Sequence, residues 1–197
     1  MSRDLSTPLH EASLDAGLEA ARPVGASTAS EPLSEGSPED SNASRRHQLR
    51  AARATRPTLT MRVYLDSSAL IKRSVEEAES DALVAALDDY VAEGANLMAS
   101  SLAWIEVSRA LGTLADEGQV TRELAQEAIE VALSGVAERP ITEDVVSLAR
   151  RIGPPRLRAL DAIHLSTAIL LDADLMVVYD DRLADACLHN ALTVRSP

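Results

Sequence analysis

Arg62-Val63-Tyr64-Leu65-Asp66-Ser67-Ser68-Ala69-Leu70 is the stretch whose reading decides the fold. Val63, Tyr64 and Leu65 combine β preference with bulk and show no polar alternation, so they read as a short strand buried on both faces. A carboxylate, Asp66, ends it. Two hydroxyl residues follow, and either Ser67 or Ser68 can cap the next helix by accepting an orphan backbone N–H. Asp66 is therefore expected at the carboxyl end of a central strand, the edge at which open α/β sheets bind ligands.

Downstream, helical and strand patterns alternate. Ala69 to Arg73 reads as a short helix and Glu76 to Val91 as a longer one, with Ala78, Leu83, Leu87 and Val91 at helical spacing and Gly94 as its stop. Asn96 to Ser100 is a second strand. Ser100 or Ser101 caps a helix to Glu117, and Thr121 caps another to Ser134. Val136 to Ile141 reads as a third strand weakened by Pro140, and Thr142 caps a helix to Ile152. Beyond Pro154 and Pro155 come a helix from Ala159 to Leu171, a strand from Leu175 to Tyr179, a helix from Arg182 to His189 and a closing strand from Leu192 to Val194. Such alternation, without internal repeat, argues an α/β fold with a parallel sheet covered on both faces.

The 197 residues fit one domain plus an appendage. Residues 1–60 lack sustained apolar periodicity and are dominated by Ser, Ala, Pro and Glu, a composition too polar to offset its ordering entropy. They are expected to be a disordered extension ahead of a domain over 61–197. The basic run Arg45, Arg46, Arg50, Arg53 and Arg56 reads as a solvated tail. Met61, just before the strand, offers a second reading, in which translation starts there. With no Phe, one Trp and three Tyr, the core must be aliphatic. Cys187 is the sole cysteine, which excludes an intrachain disulfide and a cysteine metal cluster. No secretory signal and no apolar run of about 18 residues is present, so the expectation is a soluble, cytoplasmic protein. The net charge is −12. Residues 1–60 hold eight acids and seven Arg, which leaves −11 on the remainder. That balance excludes a general nucleic-acid binder and suits cations or a basic partner.

Four acids stand out by their surroundings. Asp66 and Asp180 both follow buried strands and should reach the same sheet edge; Asp181 is an extra neighbour. Glu106 has Leu102, Ala103 and Ala110 as its helical neighbours, so it faces inward or pairs with Arg109 at i+3. Asp161 shares a helix face with His164 and Leu165. Each alone has an ordinary structural reading, as a cap, a dipole partner or a surface pair. Together they do not, because converging carboxylates repel and cannot all stay ionised without a cation. An all-oxygen set suits Mg²⁺ or Mn²⁺, with coordination left for a substrate phosphate. Such a composition belongs to metal-dependent phosphodiester hydrolysis.

In order, Val-Tyr-Leu-Asp-Ser-Ser-Ala-Leu (63–70), Trp-Ile-Glu-Val-Ser-Arg-Ala-Leu (104–111), Ala-Leu-Asp-Ala-Ile-His-Leu (159–165) and Val-Val-Tyr-Asp-Asp-Arg-Leu (177–183) resemble the PIN domain. Within that superfamily they are most similar to VapC-type toxins of bacterial toxin–antitoxin systems. The resemblance covers Met61 to about Val194. It implies a Rossmann-like α/β/α sandwich with a central parallel sheet, and a Mg²⁺-dependent endoribonuclease that leaves a 5′-phosphate. It also implies a homodimeric toxin of a type II system, blocked by a cognate antitoxin. Asp66, Glu106, Asp161 and Asp180 match the family's four acids in order, as metal-binding and catalytic residues, and Ser67 or Ser68 falls where a hydroxyl is common. One position departs: Val178 stands where many members carry Thr, so a hydroxyl that could orient the first acid or a metal-bound water is missing there.

The expected mechanism has Asp66, Asp161 and Asp180 holding one or two metal ions and Glu106 acting through water, with His164 structural. Lys72, Arg73, Arg109, Arg156 and Arg158 are candidates for a basic rim that admits single-stranded RNA. Leu83, Leu87, Val91, Leu111 and Leu114 are candidates for a dimer face. Two readings compete. A PIN-like module without turnover would bind metal and a protein partner only. A phosphoacceptor domain would need paired acids after the first strand and a later Lys, and this chain has neither.

Overall fold

The computed structural model describes residues 60–197; the reading of the N-terminal extension falls outside them. The chain forms β1 (Arg62–Leu65), α1 (Ser67–Lys72), α2 (Ser80–Ala92), β2 (Asn96–Ser100), α3 (Ser101–Asp116), α4 (Arg122–Leu133) and β3 (Ala137–Arg139), followed by α5 (Glu143–Ala149), α6 (Ala159–Leu170), β4 (Leu175–Val177), α7 (Asp181–His189) and β5 (Thr193–Arg195).

The sheet order is β3-β2-β1-β4-β5, and every pairing is parallel. Val63 registers with Leu97 on one side and Leu175 on the other, so β1 is the central strand. Alternation along β1 splits the core into two layers. Val63 and Leu65 join Leu83, Leu87, Val107 and Leu111 on the α1–α4 side. Tyr64 joins Leu165, Met176, Val178 and Leu183 on the α6–α7 side. This is the expected three-layer sandwich. The chain builds outward from β1 to β2 and β3, then returns to lay β4 on the other side. The order reverses between β1 and β4, and in doubly wound sheets that crevice is the ligand site.

Several local expectations need correction. The second helix begins at Ser80, not Glu76, because Glu79 takes a left-handed turn (φ 64°) that an ongoing helix cannot contain. Ser80 Oγ donates instead to the carbonyls of Lys72 and Val75. The third strand is only Ala137–Arg139, with Pro140 past its end. Leu83, Leu87 and Leu111 are buried in the core and Leu114 is half-buried against it, so these leucines offer no free dimer face; of that set only Val91 is exposed. Among the described residues no helix is long and apolar enough to cross a membrane.

Candidate active site

Asp66 leaves β1 in an extended conformation and is itself the N-cap of α1, where the sequence had suggested Ser67 or Ser68. Its backbone N–H donates to Val177 O (3.1 Å), which ties the end of β1 to β4. Its Oδ2 accepts from the N–H (3.1 Å) and the hydroxyl (2.7 Å) of Ser68. The residue is 4% exposed. Asp180 repeats the device one strand over: it caps α7, and Oδ1 accepts from Leu183 N–H (3.0 Å). Ser68 joins the two ends, since its Oγ also accepts from Tyr179 N–H (3.0 Å).

The Ser68 hydroxyl therefore orients the first acid, the task left open by Val178. Val178 is fully buried in the α6–α7 core layer. Asp181 begins α7 and is exposed.

Asp161 lies in the first turn of α6, and its Oδ2 is buried without a hydrogen-bond partner. Burial raises its pKa, as do the charges of Asp180 and Asp66; the guanidinium groups of Arg158 and Arg182 pull the other way. Asp180 and Asp66 are thus near enough for their charges to act on Asp161. Glu106, on α3, faces α6: its Oε2 accepts from His164 Nε2 at 2.7 Å, so the surface pair with Arg109 is not its partner. Burial alone would raise the Glu106 pKa. The hydrogen bond and charge of His164, helped by a Ser67 hydrogen bond, outweigh it and the pKa is lowered.

His164 is 2% exposed. Burial disfavours its cation, but Glu106, Asp66 and Asp161 more than compensate and its pKa is raised. Nε2 lies 3.6 Å from Asp66 Oδ1, and Nδ1 pairs with Tyr64 Oη at 2.9 Å. The sequence assigned His164 a structural part. Its position three residues after Asp161 was the available signal that it enters the cluster.

Each of Asp66, Asp180 and Glu106 has an oxygen committed to a protein donor. Asp161 contributes a buried oxygen with none, an unsatisfied acceptor beside Asp66 and Asp180. Among the described residues no three His, Cys, Asp or Glu side chains form a ready-made metal cage. An open carboxylate arrangement fits Mg²⁺, which retains several waters and takes one or two carboxylates. It serves Zn²⁺ poorly, because both His164 nitrogens are engaged. Cys187 is in the core against Met176 Sδ, its thiol pushed up to about 12 by burial.

The basic rim also differs from expectation. Lys72 Nζ is held by Glu79 (3.0 Å) and Glu77 (3.2 Å), and Arg73 donates to the carbonyls of Ala132 and Ser134. Arg158, one of the rim candidates, and Arg182, which the sequence reading passed over, are the cations whose charge acts on Asp161.

The sequence profile of the PIN domain matches residues 63–188. Among curated proteins, Ribonuclease VapC46 of Mycobacterium tuberculosis (strain ATCC 25618 / H37Rv) is 40% identical over 137 residues, 68% of this chain and 97% of that protein. Ribonuclease VapC47 of Mycobacterium tuberculosis (strain CDC 1551 / Oshkosh) is 34% identical over 137 residues, 68% of this chain and 96% of that protein. Among solved structures, the crystal structure of VapBC2 from Rickettsia felis bound to a DNA fragment from their promoter aligns with a TM-score of 0.53. That alignment covers 68% of this chain and 98% of the other at 14% identity, a likeness of fold.

Proposed function

Because the chain belongs to the PIN domain family, we propose that it is a VapC-type endoribonuclease, the toxin of a type II toxin–antitoxin pair, hydrolysing RNA phosphodiesters with Mg²⁺ or Mn²⁺. The observation that carries the site assignment is the convergence of Asp66, Asp161 and Asp180 at the β1/β4 crevice, with Asp161 Oδ2 buried and unpartnered. Asp66, Asp161 and Asp180 are the proposed metal ligands, with Glu106 acting through water. When bound, the metal supplies positive charge for the phosphate and a water of lowered pKa.

The chain's own residues do the remaining work. Ser68 holds Asp66 by Oδ2 through its N–H and its hydroxyl, and Oδ1 is the oxygen this reading gives to the metal. Leu183 N–H holds Asp180 by Oδ1. Arg158 and Arg182 offset local negative charge and can draw an RNA phosphate toward an otherwise acidic domain. The Val178 departure slightly favours the reading without turnover, and the Ser68 hydroxyl bonded to Asp66 weighs against it.

A cognate antitoxin, whose basic segment would complement the −11 domain, and a homodimer complete the proposal. The test is incubation of the purified full chain with single-stranded RNA in Mg²⁺ and in EDTA, with mapping of the product ends. Cleavage that requires the metal and leaves 5′-phosphates supports the proposal. Cleavage that persists in EDTA, or no cleavage with either metal, refutes it.

A further inference from the structure

A buried polar chain runs beside the acid cluster. Ser100 N–H, at the end of β2, donates to Tyr64 Oη (3.1 Å). Tyr64 Oη meets His164 Nδ1 (2.9 Å), and His164 Nε2 meets Glu106 Oε2 (2.7 Å). Tyr64 and Ser100 are fully buried. The Tyr64 and His164 rings pack edge to face, 6.0 Å between centroids. Such a chain in an aliphatic core costs desolvation unless every member is satisfied, and here every member is.

The proton positions follow from the partners. Nε2 faces two carboxylates, so it must carry hydrogen; a bare lone pair there would oppose Glu106 Oε2. Glu106 receives that hydrogen at 2.7 Å, while Asp66 Oδ1 at 3.6 Å is too far for a hydrogen bond. Ser100 N–H can only donate, so Tyr64 Oη accepts from it, and with neutral His164 the phenol hydrogen is directed to Nδ1. The ring is thus held at both nitrogens.

We propose that Tyr64 and His164 are positioning residues for Glu106: the Ser100–Tyr64–His164 chain pins Glu106 through Oε2 and so fixes how its carboxylate is presented to the metal-bearing crevice. The inference rests on the metal-site reading above for its consequence, but the pinning itself is a property of the metal-free protein. Donors that orient metal-site carboxylates commonly change metal affinity or activity 10- to 100-fold when removed.

The test uses the full chain carrying Tyr64→Phe, His164→Leu or His164→Gln; a Gln amide can donate from near the Nε2 position. In the metal-free protein, ring ¹⁵N NMR should show Nε2 protonated, and the Glu106 carboxyl ¹³C resonance should move in His164→Leu. By calorimetry His164→Leu should weaken Mn²⁺ binding about tenfold or more and lower kcat at least as much, with the KM for single-stranded RNA unchanged. Tyr64→Phe should lose several-fold, and His164→Gln should recover most of both. A purely structural part for the chain would lower Tm in all three variants and leave Mn²⁺ affinity and kcat where they were; that result overturns the proposal, as does a bare Nε2. If His164→Leu does not fold, wild-type Mn²⁺ affinity and kcat in Tyr64→Phe overturn it equally. A wild-type chain that neither binds Mn²⁺ nor cuts RNA refutes the nuclease reading instead, and the ring and carboxyl spectra still decide the pinning.

Discussion

Asp66→Asn separates a metal ligand from a helix cap: the structure makes Asp66 the cap of α1, and the proposed function makes it a ligand. The amide is nearly isosteric, and Asn caps a helix as well as Asp. Two hydrogen bonds from Ser68 lose their charged acceptor. Charged hydrogen bonds contribute about 1.5–3 kcal/mol against about 0.5–1.5 for neutral ones, so the loss is roughly 2 kcal/mol. Against it stands repulsion from the other acids, whose scale is set by Coulomb's law: two like charges about 6 Å apart repel by about 2–3 kcal/mol at an effective dielectric near 20. Asp161 and Asp180 are only partly buried, so solvent trims that figure. The two effects nearly cancel, and the metal-free variant should melt within about 1 kcal/mol of wild type. Its behaviour with Mg²⁺ should differ sharply. Wild type should gain stability by preferential binding of the metal to the folded state; the variant should gain far less, and its RNA cleavage should be lost. Thermal melts with and without Mg²⁺ and a cleavage assay make the comparison. Wild-type cleavage by Asp66→Asn would refute the assignment of all four acids.

Ser68→Ala removes a donor from Asp66 and strands the half-buried Tyr179 N–H, so stability should fall by about 2 kcal/mol in urea; an unchanged midpoint would count against the Ser68 tie. The raised pKa of Asp161 means that the folded, metal-free protein binds this proton more tightly than the unfolded chain, so stability drops as pH rises through that pKa. Asp161→Asn should therefore be more stable than wild type at neutral pH without metal. The advantage should shrink as pH falls through the raised pKa and disappear below the ordinary value of 3.8; melts across pH that show no such convergence would contradict it. Arg182→Gln should weaken RNA binding several-fold and reduce the slope of log affinity against log salt by about 0.7, the value of one phosphate contact on a single strand, measured by fluorescence anisotropy in EDTA.

Much of the fold was legible because single residues punctuate it. Thr121 and Thr142 cap the helices they were expected to cap, and the strand Asn96–Ser100 was bounded correctly. The unalternating Val63–Leu65 run marked the central strand, as burial on both faces requires. The start of α2 was misplaced because Glu76, Glu77 and Ala78 are good helix formers, and only the tertiary demands on Lys72 and Ser80 turn them into a loop. Leu83, Leu87 and Leu111 looked available for a partner because a helical stripe does not say which surface covers it. The acids could be picked out as strand-end and inward-facing carboxylates, but their hydrogen-bond partners could not. Ser68 with Tyr179, and His164 with Glu106, join residues 111 and 58 positions apart. Such pairings follow from strand order and helix packing, which no local pattern encodes.

The proposed function puts a divalent metal at the β1/β4 crevice, held by Asp66, Asp161 and Asp180. Substoichiometric Mn²⁺ added to the ¹⁵N-labelled full chain tests it most directly, because paramagnetic broadening falls off steeply with distance from the ion. The amides of Asp66, Ser68, Ala162 and Asp180 should broaden first, and excess Mg²⁺ should restore them. Broadening centred on another acidic group, such as Glu77 and Glu79, with those four amides unaffected, would contradict the account.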